Sequence, residues 1–211
     1  ARAGDRVDRM DRSCQLALVA ALGAYEQSGL TSERTAVVFG SAYASLLVNQ
    51  RFFEKIVSRG ARFADPKRFP YTSPNVAGGE VAIALKLRGP NVSLTSGWHS
   101  GLSALITASD FLALGHADAA IVVAADAVGP VLVDGLRAEG LLSVAPAEAG
   151  AAIVVETERS ARDRGATLLG RLCGAGEAFG TGALSALLDG AAILQPRLIY
   201  ADSVSHAFQM A

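Results

Sequence analysis

The feature that most constrains the fold is residues 119–125, an apolar run with no polar alternation. A strand with one solvated face alternates apolar and polar side chains, whereas a strand of a parallel sheet covered on both faces is apolar throughout. Residues 35–40 form a shorter β-branched run, residues 91–95 are a further predicted strand, and these strands alternate with stretches of helical periodicity. We therefore predict one domain over residues 1–211, an α/β fold layered α/β/α around a mixed, mostly parallel sheet.

The other elements follow from periodicity and from glycine and proline breaks. Residues 63–74 are predicted to form a loop because they contain three prolines. Residues 129–147 are predicted to be irregular, with room for one helical turn. Strands at 151–156 and 167–173 can form an antiparallel hairpin around a charged turn at 158–164, which would make the sheet mixed. The remaining predictions are helices at 8–28, 44–58, 75–87, 102–114 and 180–194 and a last strand at 197–201.

Composition excludes several classes of protein. The chain is 51% hydrophobic and 18% charged, unlike a disordered chain. Its longest apolar run is far shorter than the roughly 20 residues of a membrane helix, and 19 basic against 20 acidic side chains argue against nucleic acid as a ligand. The apolar content indicates either a sheet buried on both faces or a large partner interface, and both interpretations stay open.

Cysteine usage and the first residues predict the compartment. Cys14 and Cys173 cannot make a disulfide framework, which indicates a reducing cytosol, and neither lies in a motif that would activate a thiol. Residues 1–13 are too charged for a signal peptide. We expect a cytoplasmic protein with two small core cysteines.

Residues 91–114 form a strand, a tight turn and an apolar helix, the arrangement by which many enzymes present a nucleophile beside a helix N-terminus. The turn reads Ser-Gly-Trp-His-Ser-Gly at 96–101, although a cysteine or serine is expected at its tip. Ser96, His99 and Ser100 raise the alternative of a serine hydrolase. Neighbouring positions on a turn rarely converge into a triad, so His99 is expected to fill the helix start.

The run RGPNVSLTSGWHSGLSAL at 88–105 resembles the active-site segment of β-ketoacyl synthases, members of the thiolase superfamily. Other segments resemble the same family in the same order, over about residues 8–173. They read DRMDRSCQLAL, RTAVVFGS, SPNVAGGEVAIALKLRGP, ALGHADAAIVVAADAV and GAAIVVE. The resemblance implies the N-terminal half of the thiolase fold.

Three departures from the family pattern bear on activity. Trp98 occupies the position of the nucleophilic cysteine, and an indole has no atom that could attack a thioester. Asp202 stands where the resemblance places the first catalytic histidine. The family's R-P-F-D segment is missing before GAAIVVE, where only LLSVAPAEA stands, and the later lysine and histidine belong to a half of the fold that this sequence lacks.

The resemblance therefore implies a non-catalytic subunit similar to the chain length factors. Such subunits pair with an active ketosynthase and shape the cavity in which a polyketide or fatty-acyl chain grows, and short versions are associated with aryl-polyene-type pathways. The expected partner is that ketosynthase in a heterodimer, with acyl carrier protein reached through the partner. No cofactor and no metal are expected. The alternatives are a malonyl decarboxylase-type relative, which usually keeps its histidines, and a homodimeric thiolase-like binding protein.

The resemblance also implies roles for particular residues. Trp98 would plug or gate the cavity, and the alternative is a plain core residue. The loop residues Arg68, Phe69, Tyr71 and Thr72, followed by Val76, would line the partner's acyl pocket, and the alternative is an ordinary loop anchored by aromatic side chains. Ser93, Leu94 and Thr95 would pair antiparallel with the partner's strand. Gly78 and Gly79 would lie near the subunit interface, and the alternative is a close contact inside the chain.

Overall fold

A computed structural model of the chain describes residues 7, 10–142 and 146–172. Of two short 3₁₀ turns, Ala61–Phe63 leads into the proline-rich loop at 63–74 and Phe69–Thr72 lies inside it. The regular elements are α1 (Arg12–Ser28), β1 (Thr35–Gly40), α2 (Leu46–Arg59), α3 (Val76–Leu85), β2 (Asn91–Leu94), α4 (Ser100–Ala113), β3 (Ala119–Asp126), α5 (Pro130–Ala138), β4 (Ala149–Glu156) and α6 (Glu158–Asp163).

The described strands form one sheet in the order β2-β1-β3-β4. β1 pairs in parallel with both β2 and β3, whereas β4 runs antiparallel to β3 from Ala119 opposite Glu156 to Asp126 opposite Ala149. The predicted α/β fold with a mixed, mostly parallel sheet is confirmed.

The absence of polar alternation in β1 and β3 is explained by helices on both faces of the sheet. Successive strand residues point to opposite faces, so Val37 and Ile121 pack with α1 and α3, while Val38 and Val122 pack against α4. Both central strands are buried along nearly their whole length. The outer strand β4 is only partly covered.

Local signals fix the ends of α1. The Asp11 carboxylate accepts the backbone N–H of Cys14 at 3.0 Å, a standard N-cap contact. Gly29 ends the helix with φ of 60°, a left-handed conformation that glycine adopts without steric cost. Cys14 is fully buried on this helix, and burial raises the pKa of its thiol far above the usual range, which fits the predicted inert core cysteine.

Three of the predicted elements are wrong. The stretch expected to be irregular contains α5, which begins at Pro130, a residue that the first turn of a helix tolerates well. The predicted strand at 167–173 is not a strand over its described part, 167–172, and the charged turn is the helix α6, capped by the Thr157 hydroxyl. The antiparallel partner of β4 is therefore β3. The helix predicted at 180–194, the strand at 197–201, Cys173 and Asp202 lie outside the described residues.

Candidate functional site

The turn between β2 and α4 carries the sharpest departure from the family pattern. β2 ends at Leu94 and α4 begins at Ser100, two residues earlier than the sequence predicted, so Trp98 lies next to the N-cap residue His99 and two residues before the helix. Gly97 has φ of 85°, which gives the tight turn its left-handed residue. The Trp98 side chain is 43% exposed, so it lies at the molecular surface and outside the core.

Ser100 joins this turn to the end of β1. Its buried hydroxyl accepts the N–H of Ser96 at 3.0 Å and faces two carbonyl oxygens, that of Ser41 at 3.0 Å and that of Gly97. The hydroxyl therefore serves backbone groups of both turns. His99 stands at the N-cap position without a side-chain capping bond, which agrees with its predicted place at the helix start.

Gly40 lets α4 approach β1 backbone to backbone. A Cβ atom at this position would lie 2.3 Å from the carbonyl oxygen of Ser100 and 2.8 Å from the amide nitrogen of Gly101. Real Cβ atoms do not come this close to backbone atoms, so only glycine permits this packing. We call residues 95–99, between β2 and α4, the Trp98 turn. Its position relative to the sheet depends on that contact.

Asp126, the last residue of β3, anchors the turn that follows β1. Its carboxylate accepts the hydroxyl of Ser41 at 2.6 Å and the backbone N–H groups of Ala42 and Tyr43, both at 3.0 Å. The Ser41 hydroxyl oxygen accepts the N–H of Ala44 at 2.7 Å, and Ala44 has the positive φ of 45° that non-glycine residues rarely adopt. We call residues 41–44 with Asp126 the clamped turn.

The clamped turn and the Trp98 turn enclose an open cleft of about 240 Å³ at the carboxyl ends of β1 and β3. Ligands of open α/β sheets commonly bind at this end of the strands. The cleft is lined by Gly40, Ser41, Ala42, Trp98, Ser100, Gly101, Leu102, Ala124 and Asp126.

Tyr43 belongs to the clamped turn on one side of the cleft. Burial raises the pKa of the Tyr43 hydroxyl, the neighbouring Trp98 indole acts in the opposite direction, and the charge of Asp126 adds to the increase. Tyr43 is thus a protonated hydroxyl at neutral pH.

The predicted acyl-pocket loop lies beside the clamped turn. The carbonyl oxygen of Thr72 accepts the Ser45 hydroxyl at 2.7 Å and the Asn49 amide at 3.2 Å, which ties the loop to the start of α2. Arg68 forms an ion pair with Asp65 at 3.3 Å. Phe69 is 64% exposed, with its ring 6.0 Å from that of Phe52.

Tyr71 and Val76 point inward instead. The Tyr71 ring is 8% exposed in the core between α1, α3 and the sheet, and its hydroxyl lies 3.4 Å from a carboxylate oxygen of the buried Glu80. Val76 packs against the same core. None of the predicted loop residues lines the cleft at Trp98, so the structure divides the predicted cavity residues into two separate groups.

β2 is an edge strand, and its outer side carries no partner strand within the described residues. Ser93 and Leu94 lie in it, while Thr95 follows its last residue. Among the residues that the structure describes, the buried hydroxyl oxygen of Ser93 has no hydrogen-bond partner. Gly78 and Gly79 differ sharply: a Cβ at Gly78 would lie 2.9 Å from Oδ1 of Asn91, whereas one at Gly79 would meet nothing within 4 Å.

Sequence reasoning missed Asp126, Ser41 and Tyr43. Asp126 follows directly on the apolar run and belongs to no motif, and its partners lie 83–85 residues earlier in the chain. The available signal was an acid at the carboxyl end of a buried strand, where the loops of an α/β sheet converge.

Metal chemistry and membrane insertion find no support in the part of the chain that the structure describes. There, no group of three or more histidine, cysteine, aspartate or glutamate side chains is placed to hold a metal ion. Over the same residues, no helix is both long enough and apolar enough to cross a bilayer.

Comparison with known proteins identifies the class. Residues 2–159 match the family described as beta-ketoacyl synthase, N-terminal domain, so this chain belongs to the β-ketoacyl synthase family. It is 32% identical over 198 residues to nodulation protein E of Rhizobium leguminosarum bv. trifolii, covering 79% of this chain and 46% of that protein. The chain spans about half the length of the relatives that it matches.

Solved structures give the same fold. The ishigamide ketosynthase/chain length factor has a TM-score of 0.64 and 29% identity, covering 75% of this chain and 47% of that chain. AntDE:AntF, a type II PKS acyl-carrier protein in complex with its ketosynthase, has a TM-score of 0.74 and 19% identity, covering 86% and 55%. The predicted thiolase-like ketosynthase fold is confirmed.

Proposed function

We propose that this chain is a non-catalytic, chain-length-factor-like subunit that pairs with an active β-ketoacyl synthase and shapes its acyl cavity. The pathway is of type II polyketide or fatty-acid-like biosynthesis, with aryl polyenes as one such product class. The observation that carries the proposal is Trp98 at the turn where the resemblance places the nucleophilic cysteine. An indole cannot form an acyl-enzyme, whereas its bulk at the cleft can limit the space for an acyl chain.

The open edge of β2 supports a heterodimer. An edge strand presents unpaired N–H and C=O groups that a partner's strand can satisfy by sheet extension. The ishigamide structure contains a ketosynthase together with a chain length factor, the assembly proposed for this chain. The partner would supply the cysteine and histidines and receive acyl groups from acyl carrier protein. The buried free thiol of Cys14 suits the reducing cytoplasm in which we place this complex.

Co-purification tests the partnership. The full chain is produced alone and together with an active ketosynthase encoded beside it, and native mass spectrometry measures the complexes. We expect a stable one-to-one heterodimer. A monodisperse chain with no affinity for that ketosynthase would remove the chain-length-factor proposal, and acyl transfer or malonyl decarboxylation by the chain alone would overturn its non-catalytic part.

Trp98→Ala tests the cavity. The heterodimer is supplied with loaded acyl carrier protein, and product length is measured by liquid chromatography and mass spectrometry. We expect longer products from Trp98→Ala and unchanged products from Phe53→Ala, a control on α2 that removes a 54% exposed aromatic ring away from the cleft. Unchanged products from an intact Trp98→Ala heterodimer would show that Trp98 does not bound the cavity.

A further inference from the structure

Of the two aromatic rings predicted to line the partner's acyl pocket, Phe69 and Tyr71, only Phe69 faces outward. Its ring is 64% exposed, whereas Tyr71 is 8% exposed in the core. The inner side of the Phe69 ring lies near the ring of Phe52, with the ring centroids 6.0 Å apart and the planes at 47°. Phe52 is buried on α2, so it is a fixed support for Phe69.

Asp65 organises residues 65–69, which we call the Phe69 turn. Its carbonyl oxygen accepts the backbone N–H groups of Arg68 and Phe69, both at 3.1 Å. Its carboxylate accepts the N–H of Lys67 at 3.1 Å and pairs with the Arg68 guanidinium at 3.3 Å. One residue therefore contacts the three successive positions that end at the exposed ring.

The same carboxylate fastens the Phe69 turn to α2. Oδ2 of Asp65 lies 3.3 Å from Nζ of Lys55, which stands three residues after Phe52 on the helix. The carbonyl oxygen of Thr72 ties the far end of the loop to the start of α2. A lone exposed ion pair contributes little, but a carboxylate that joins two cations and a backbone N–H forms a network that holds one geometry.

We infer that Asp65 is a positioning residue for Phe69: it holds the Phe69 turn against α2, so that one side of the ring rests on Phe52 and the other faces outward. In the heterodimer, the outward side of Phe69 narrows the acyl pocket of the partner and shortens the product. The inference deepens the proposed function, because an effect on products requires that the partner contacts this loop.

Asp65→Asn tests the network in the heterodimer. The amide is isosteric and keeps an oxygen for the N–H of Lys67, but it loses the charge that pairs with Lys55 and Arg68. Asp134→Asn on α5 is the matched control, because Asp134 forms an ion pair of the same spacing with Arg137.

Two quantities are measured for each variant: the ratio of longer to shorter products, and hydrogen exchange of the backbone amides at 67–69 by mass spectrometry. We expect Asp65→Asn to raise both about two- to fivefold, the range that corresponds to an exposed ion-pair network. The difference from the parent chain should shrink in 1 M salt, which screens the parent's ion pairs. Asp134→Asn should leave both quantities unchanged.

A second background separates positioning from a general structural role. Phe69→Ala should by itself lengthen the products. If Asp65 acts through this ring, Asp65→Asn should not change the product ratio further in a Phe69→Ala chain. Equal shifts in both backgrounds would overturn the inference, as would unchanged exchange at 67–69 in the single variant.

Failure of the inference and failure of the proposed function give different results. Faster exchange in Asp65→Asn, with products that respond neither to it nor to Phe69→Ala, would uphold the positioning of the turn and refute its contact with the partner's pocket. Products that respond to Phe69→Ala, with exchange unaffected by Asp65→Asn, would uphold the pocket contact and refute the role of Asp65. Absence of any heterodimer would refute the proposed function, while exchange in the chain alone would still test Asp65.

Discussion

Gly40→Ala tests the backbone contact that positions the candidate site. The new Cβ would lie 2.3 Å from the carbonyl oxygen of Ser100 and 2.6 Å from its carbonyl carbon. Optimal carbon contacts are about 3.5 Å, so β1 and the start of α4 would have to separate by roughly 1 Å. Neither backbone can rotate out of the way as a side chain could. The variant therefore has to strain the sheet or displace the turn that carries Trp98.

The expected cost lies at the upper end of the range for overpacking. Inserting extra atoms into a packed interior costs about 1–3 kcal/mol, and because backbone is met here we expect about 3 kcal/mol. For a chain of this size that lowers Tm by about 6–12 °C. Since the turn moves with α4, the emission of Trp98 should change as well.

The assay is urea unfolding of the full chain, in the heterodimer if that is the stable form, followed by circular dichroism and by Trp98 fluorescence. Gly23→Ala is the control, because Gly23 lies inside α1 with nothing within 4 Å of the added Cβ. That variant should gain about 1 kcal/mol from helix propensity. If Gly40→Ala stayed within about 0.5 kcal/mol of the parent chain, the range of an unremarkable surface substitution, the close approach of β1 and α4 would be refuted.

Two further predictions concern the turn and the proposed interface. Ser100→Ala should cost about 1–3 kcal/mol of the free energy of unfolding in urea, because it leaves a buried N–H and carbonyl without their partner. Ser109→Ala, which only removes a bond to the carbonyl of Leu105 within α4, should be near neutral, and equal losses would contradict the assigned role of Ser100. Gly79→Ala should stabilise the isolated chain by about 1 kcal/mol of helix propensity but weaken heterodimer formation in titration calorimetry, and an unchanged Kd would argue against α3 as an interface.

The central sheet could be predicted from sequence because burial on both faces leaves a local signature. Thr35–Gly40 was predicted residue for residue, and β3 differs from its prediction by one residue, at its carboxyl end. Both edge strands were also predicted to within two residues, at 91–95 against Asn91–Leu94 and at 151–156 against Ala149–Glu156. The apolar residues at 167–172 resemble a strand in composition, yet they have no strand partner in the described structure.

One part of the candidate site could also be predicted from sequence, and another part could not. Trp98 was found because the strand before it and the apolar helix after it resemble a local family motif, so its departure from that motif is visible in the sequence. The clamped turn was not found, because it depends on the spatial proximity of Asp126 and Ser41, which are far apart in the chain. Helix α5 was expected only as one helical turn within an irregular stretch, although Leu132 and Leu136 have the i, i+4 spacing of one helix face.

The antiparallel strand β4 has a consequence for handling the protein. Within residues 10–142 and 146–172, its apolar segment AGAAIVV pairs with β3 alone and forms an outer edge of the sheet, and several of its residues are exposed. Charged side chains often protect such edges, but Glu148 is paired with Arg12 and Glu156 with Arg164. Short uncharged β-rich segments of this kind promote edge-to-edge aggregation. We therefore expect the isolated chain to self-associate through β4 as its concentration is raised.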